Sequence, residues 1–153
     1  MNRKIILVLI LILFPAVFCR SQTNTKNGAA QNALPKTNAQ AKATPAYAEV
    51  LLRRTERESE LEEFLLNYTE EFPKVKEIKF ELDLLKKAMD KILTVNDSEA
   101  GKLTLALGKL LVRKIELETD LWNLRQQYND DHPEVKRGKR KIEVYERAIK
   151  EIL

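Results

Sequence analysis

A chain of 153 residues, 44% apolar and 33% charged, is sized for a single domain. Its one cysteine, Cys19, excludes an intramolecular disulfide and any cysteine-based metal cluster. The net charge of +4 hides an asymmetry: six of the 27 basic residues precede Ala46 and all 23 acidic residues follow it, so the body is slightly acidic and a poor match for nucleic-acid phosphates.

The chain opens with the pattern of a secretory signal peptide over residues 1–21. A basic start at Arg3-Lys4 is followed by the apolar run Ile5 to Phe18 and then by polar residues from Arg20. That run is short for a spanning helix, which needs about 20 apolar residues. Ala16-Val17-Phe18-Cys19 resembles a bacterial lipobox, with Phe18 where a small residue is usual. Two processing outcomes stay open: lipidation of Cys19 as a membrane tether, or cleavage after Cys19 or Ser21. Residues 22–44 are rich in Asn, Gln, Thr, Ala and Lys and read as a disordered linker.

From residue 45 the composition is that of long helices. Shifted by 60 positions, Tyr47–Leu93 lies over Leu107–Leu153 without a gap. Tyr68, Pro73, Val75, Lys76 and Lys79 are among the identical positions. The expected fold is all-α: two tandem antiparallel helical hairpins, a duplicated coiled coil. Hairpin one spans 45–93, a loop 94–98, and hairpin two 99–153.

The first helix starts at Pro45 behind the N-cap Thr44. Its apolar seam is Tyr47, Val50, Leu61, Phe64 and Tyr68, interrupted by Arg54 and Arg57. The second opens at Pro73 and carries Val75, Ile78, Leu82, Leu85, Met89 and Ile92 at 3-4 spacing, a knobs-into-holes pattern. The third is expected from about Glu99 to Tyr128, capped by Asp97 or Ser98 and roughly 45 Å long. Lys114 interrupts its seam where Arg54 interrupts the first. The fourth opens at Pro133 with Val135, Ile142, Tyr145, Ile149 and Ile152, and Gly138 in the place of Ile78. Arg54 and Lys114 are expected to lay their stems along the seam and carry their charges outward.

A single two-helix seam is marginal against the cost of ordering its backbone. The hairpins must therefore pack together as a four-helix bundle or cover themselves with another chain. Off-seam Leu65, Leu66, Phe80, Leu84, Leu103, Leu105 and Trp122 offer a second surface for either.

The breaks Tyr68-Thr-Glu-Glu-Phe-Pro-Lys-Val75 and Tyr128-Asn-Asp-Asp-His-Pro-Glu-Val135 are the expected corners. Proline opens each second helix, the residue before it caps, and the tyrosine packs over the turn. His132 has no second histidine or cysteine to make a metal site, so it is expected as a cap. Glu70-Glu71 and Asp130-Asp131 are expected to complement the positive end of the following helix rather than hold a cation.

The run from Leu124 through Tyr128, His132 and Pro133 to Val135 resembles the L-x-x-x-Y-x-x-x-H-P-x-V segment of Wzz/GumC-type polysaccharide chain-length-determinant and exopolysaccharide export proteins. The first copy keeps Tyr68, Pro73 and Val75, with Phe72 in place of the histidine. The resemblance covers the hairpins alone, without the two flanking transmembrane helices or the kinase domain that such proteins carry. It implies extracytoplasmic helical hairpins and, further, a part in polysaccharide export.

No phosphate loop, nucleophile elbow or metal-ligand pattern is present in the sequence. The expectation is no enzyme and no cofactor, but an exported spacer or adaptor of the bacterial cell envelope, in the periplasm or lipid-anchored through Cys19. Its partner would be a second copy of itself or another helical envelope protein. Two alternatives stand beside it: an accessory of polysaccharide export, and a periplasmic holdase using the off-seam apolar surface.

Overall fold

The computed structural model describes residues 39–153. The expected signal peptide, Cys19 and most of the linker lie outside the described residues. Those described form α1 (Ala39–Lys42), α2 (Pro45–Leu65), α3 (Pro73–Leu93), a 3-10 turn (Asp97–Lys102), α4 (Leu105–Arg125) and α5 (Pro133–Ile152). The fold is all-helical, and α2–α3 and α4–α5 are the two expected hairpins. No helix among the described residues is long and apolar enough to cross a membrane.

Both hairpins begin the same way. Thr44 Oγ1 accepts from the Tyr47 amide and Thr104 Oγ1 from the Leu107 amide, at 3.4 and 3.3 Å. These caps satisfy amides that have no partner inside the helix. Pro45 is tolerated just behind the first cap because its missing N–H would be unbonded there anyway. The 60-residue offset thus holds for the first residue of all four long helices.

Two expectations are corrected. The third helix starts at Leu105, not near Glu99, and its cap is Thr104 rather than Asp97 or Ser98. Residues 97–102 instead form the 3-10 turn, whose N-cap Asn96 makes no side-chain cap bond. At 21 residues the helix is about 32 Å long, shorter than expected. The linker also ends earlier than residue 44. Residues 39–42 form α1, and Ala41 is buried in the core with Ile92 and Leu103. Sixty residues on, the 3-10 turn occupies the equivalent place, so each repeat has a short helical turn before its hairpin.

The hairpins pack together through α4, which lies against α2, α3 and α5. Helices α2 and α4 run in the same direction. Near their starts Ala46 meets Gly108, and further along Arg53 meets Glu116. Both corners therefore lie at one end of the body and α1 with the 3-10 turn at the other. The apolar core at this base joins the hairpins: Val50, Leu85, Met89, Ile92, Leu103, Leu107 and Ile115 are all buried. A second cluster of Leu117, Leu121, Val135 and Ile142 lies inside hairpin two. Burying each such aliphatic side chain contributes about 1.5–3 kcal/mol.

Candidate functional site

The two corners are built alike. The Tyr68 ring stacks on Phe72 with centroids 4.1 Å apart, and Tyr128 stacks on His132 at 4.0 Å. The spacing of four residues across the turn puts one ring over the other. Val75 and Val135 are fully buried below, and Pro73 and Pro133 open the second helices. His132 Nδ1 accepts from the Glu134 amide at 3.3 Å, so the histidine is the cap that Phe72 cannot be.

The corner acids fold back onto the next helix through lysines in both copies. Glu71 pairs with Lys76 at 2.5 Å and Glu70 with Lys79 at 2.9 Å; Asp131 pairs with Lys136 and Asp130 with Lys139, both at 3.1 Å. Asp130 also takes Arg125 at 2.9 Å. Hydrogen bonds from Lys76 and Arg125 hold the Glu71 and Asp130 carboxyls below their ordinary range. The acids are thus spoken for by cations of the chain itself. Among the described residues no group of three or more His, Cys, Asp or Glu side chains could hold a metal ion.

The seam cations behave as stems with outward charges. Arg54 pairs with Glu58 at 2.7 Å, and its repeat partner Lys114 with Glu118 at 2.6 Å. Both pairs span one turn of their own helices, and Lys114 also meets Glu146 of α5 at 3.4 Å.

A buried polar cluster lies midway along hairpin one. The Glu81 side chain is 4% exposed and lies 3.0 Å from both Arg53 Nε and Arg57 Nε. Arg53 reaches on to Glu116 of α4 at 3.1 Å, and Arg57 also pairs with Glu60. Burial works against the Arg57 charge, but Glu81 and Glu60 outweigh it and raise its pKa above the ordinary value. This cluster escaped sequence reasoning because Glu81 falls one position off the α3 seam. Its signal was the pair Arg53 and Arg57, four apart on one helix face.

Helices α3 and α5 flank α4 and leave a channel over it. Toward the corners, Phe80 stacks on Trp122 at 5.2 Å, and with Leu84, Leu121 and Ile142 they line a cleft of about 440 Å³. Toward the base a second cleft of about 340 Å³ is lined by Ile92, Val95, Leu107, Leu111 and Ile149 among others. Off-seam Phe80, Leu84, Leu103 and Trp122 are therefore used between the hairpins, whereas Leu65, Leu66 and Leu105 remain exposed. The cleft walls are aliphatic and aromatic, with Glu118, Arg125, Lys139 and Glu143 at the edge. Such a surface can hold an apolar side chain.

Comparison with protein-family models, with curated proteins and with solved structures found no match.

Proposed function

We propose that the chain is an exported helical spacer or adaptor of the bacterial cell envelope, acting through its helix faces rather than through catalysis. The observation that carries this is the common direction of the two hairpins. Both aromatic corners lie at one end, and α1, which leads back to the expected export signal, packs in the base core at the other. A tether through Cys19 would then join the helical body at its base. The side chains brought together are ion pairs and apolar cores, which stiffen a rod about 32 Å long.

A cysteine placed at exposed Thr69, in the first corner, tests the location. In spheroplasts with an intact inner membrane, a membrane-impermeant maleimide is expected to label Thr69→Cys. Labelling that appears only after lysis removes the envelope reading. A second reading, an accessory of polysaccharide export, is favoured by the stacked Tyr128–His132 corner, which carries that resemblance. It predicts an altered glycan chain-length profile in a deletion strain, and an unchanged profile counts against it.

A further inference from the structure

The two hairpins are related by stacking in one direction, not by a closing two-fold axis. Such an interface leaves each partner's other face unused. Beside the shared apolar core, hairpin one meets hairpin two through Arg53 to Glu116 at 3.1 Å, Glu77 to Asn123 at 2.9 Å, and Phe80 to Trp122 at 5.2 Å. Moving each hairpin-one residue 60 positions forward gives Arg113, Arg137 and Arg140 on the outer face of hairpin two. Moving each hairpin-two residue 60 positions back gives Glu56, Glu63 and Glu62 on the outer face of hairpin one. All six are exposed. Each of these three contacts is thus replaced, on the two open faces, by an arginine opposite a glutamate.

The apolar residues follow the same rule. Leu111 and Val112 pack against the core shared by the hairpins; their equivalents Leu51 and Leu52 are 40% and 58% exposed. Leu84, which also packs there, corresponds to Val144, 53% exposed. Each open face therefore carries apolar residues toward the base and charge toward the corners, positive on one and negative on the other.

We infer that a second copy of this chain docks head to tail, its α2 lying on α4 and α5 of the first as α4 lies on α2 and α3 within one chain. Arg113, Arg137 and Arg140 of one copy face Glu56, Glu63 and Glu62 of the next. This deepens the spacer reading by naming its partner, and it rests on that reading of the chain as an interaction protein. The contact is heterologous, so association continues beyond a dimer. It is also weaker than the internal one. Gly108, which allows the close crossing with Ala46, is replaced by Ala48 on the open face, so the copies cross further apart. Arg113 and Arg137 must share their charge with Glu116 and Glu134 of their own helices, each at 2.7 Å, whereas Glu62, Glu63 and Arg140 have no ion pair among the described residues.

Sedimentation of the purified exported chain, with charge-reversed variants, tests the inference. Wild type is expected to associate with rising concentration past a dimer, and added salt to weaken it. Arg137→Glu/Arg140→Glu makes both faces acidic, and Glu62→Lys/Glu63→Lys makes both basic; each alone is expected to associate about tenfold or more weakly. Mixing the two variants restores complementary faces and is expected to restore association. Circular dichroism confirms that each variant is folded. A folded wild type that stays monomeric overturns the inference, as does association that survives both reversals or a mixture that fails to recover. These outcomes leave the spacer reading to be decided by the Thr69→Cys labelling, at a corner residue outside the proposed contact.

Discussion

Gly108 of α4 lies so close to α2 that a Cβ there would stand 2.9 Å from Ala46 Cα and 2.8 Å from Glu49 Cβ. That crossing brings the starts of the two hairpins together, and it works only without a side chain. Gly108→Ala gains up to about 1 kcal/mol of helix propensity but forces α2 and α4 apart, at about 1–3 kcal/mol. A net loss of about 1–2 kcal/mol is expected. Gly138 gives the opposite sign. A Cβ there meets Leu121 Cδ1 at 3.2 Å, the end of a side chain that can move. Gly138→Ala is expected to stabilise by about 0.5–1 kcal/mol. Urea unfolding of the two variants side by side checks the contrast.

Removing Glu81 strands two guanidinium groups in the middle of hairpin one. Breaking a buried ion pair costs about 3–5 kcal/mol. Arg53 and Arg57 retain about a fifth of their side-chain exposure and can turn toward water. Glu81→Ala is therefore expected to lose about 2–3 kcal/mol, below the full penalty. A chemical-denaturation curve within 0.5 kcal/mol of wild type, roughly the scatter of an ordinary surface change, would remove the cluster from the account of stability.

The start of α4 is checked by its cap. Thr104→Ala and Thr44→Ala are each expected to cost about 1 kcal/mol. Ser98→Ala, in the 3-10 turn, is expected to stay within about 0.5 kcal/mol of wild type. If Ser98→Ala proves the costlier change, the helix begins earlier than Leu105.

Acid should loosen the contact between hairpins. Burial pushes the Glu77 pKa up, but Lys74 at 2.6 Å and the Asn123 amide at 2.9 Å outweigh it and hold it below the ordinary value. A lowered folded-state pKa favours folding above the unfolded value, roughly 4.3 for Glu, and loses that contribution as pH falls through the folded value. Glu71 and Asp130 are shifted the same way and add to the slope. Thermal melts of wild type and Glu77→Gln are expected to differ steadily from pH 7 to 5.5 and to converge below about pH 4.

The corners were legible because their parts are neighbours in the chain. A proline at the first helical position and an aromatic four residues before another ring act over a single turn. The start of the third helix was misplaced because Asp97 and Ser98 are good caps by type. Thr104, 60 residues after Thr44, was the better guide, since the second copy repeats the cap of the first. Glu81 could not be read in the same way. Its arginine partners lie 28 and 24 positions earlier, and its own equivalent is Lys141, so the repeat gave no support.

Taken alone, the sequence determined the four long helices apart from the start of the third, the hairpin corners and the duplication. These depend on backbone hydrogen bonds four residues apart, on proline geometry and on a period visible by self-comparison. Only the tertiary structure decided that the hairpins run in the same direction, that Gly108 is the crossing point, and that Glu81 lies between two arginines. It also decided which faces of α2, α4 and α5 are left open. Helix α4 carries apolar residues on more than one side, and choosing which side meets α2 depends on burial and charge pairing between residues far apart in the chain.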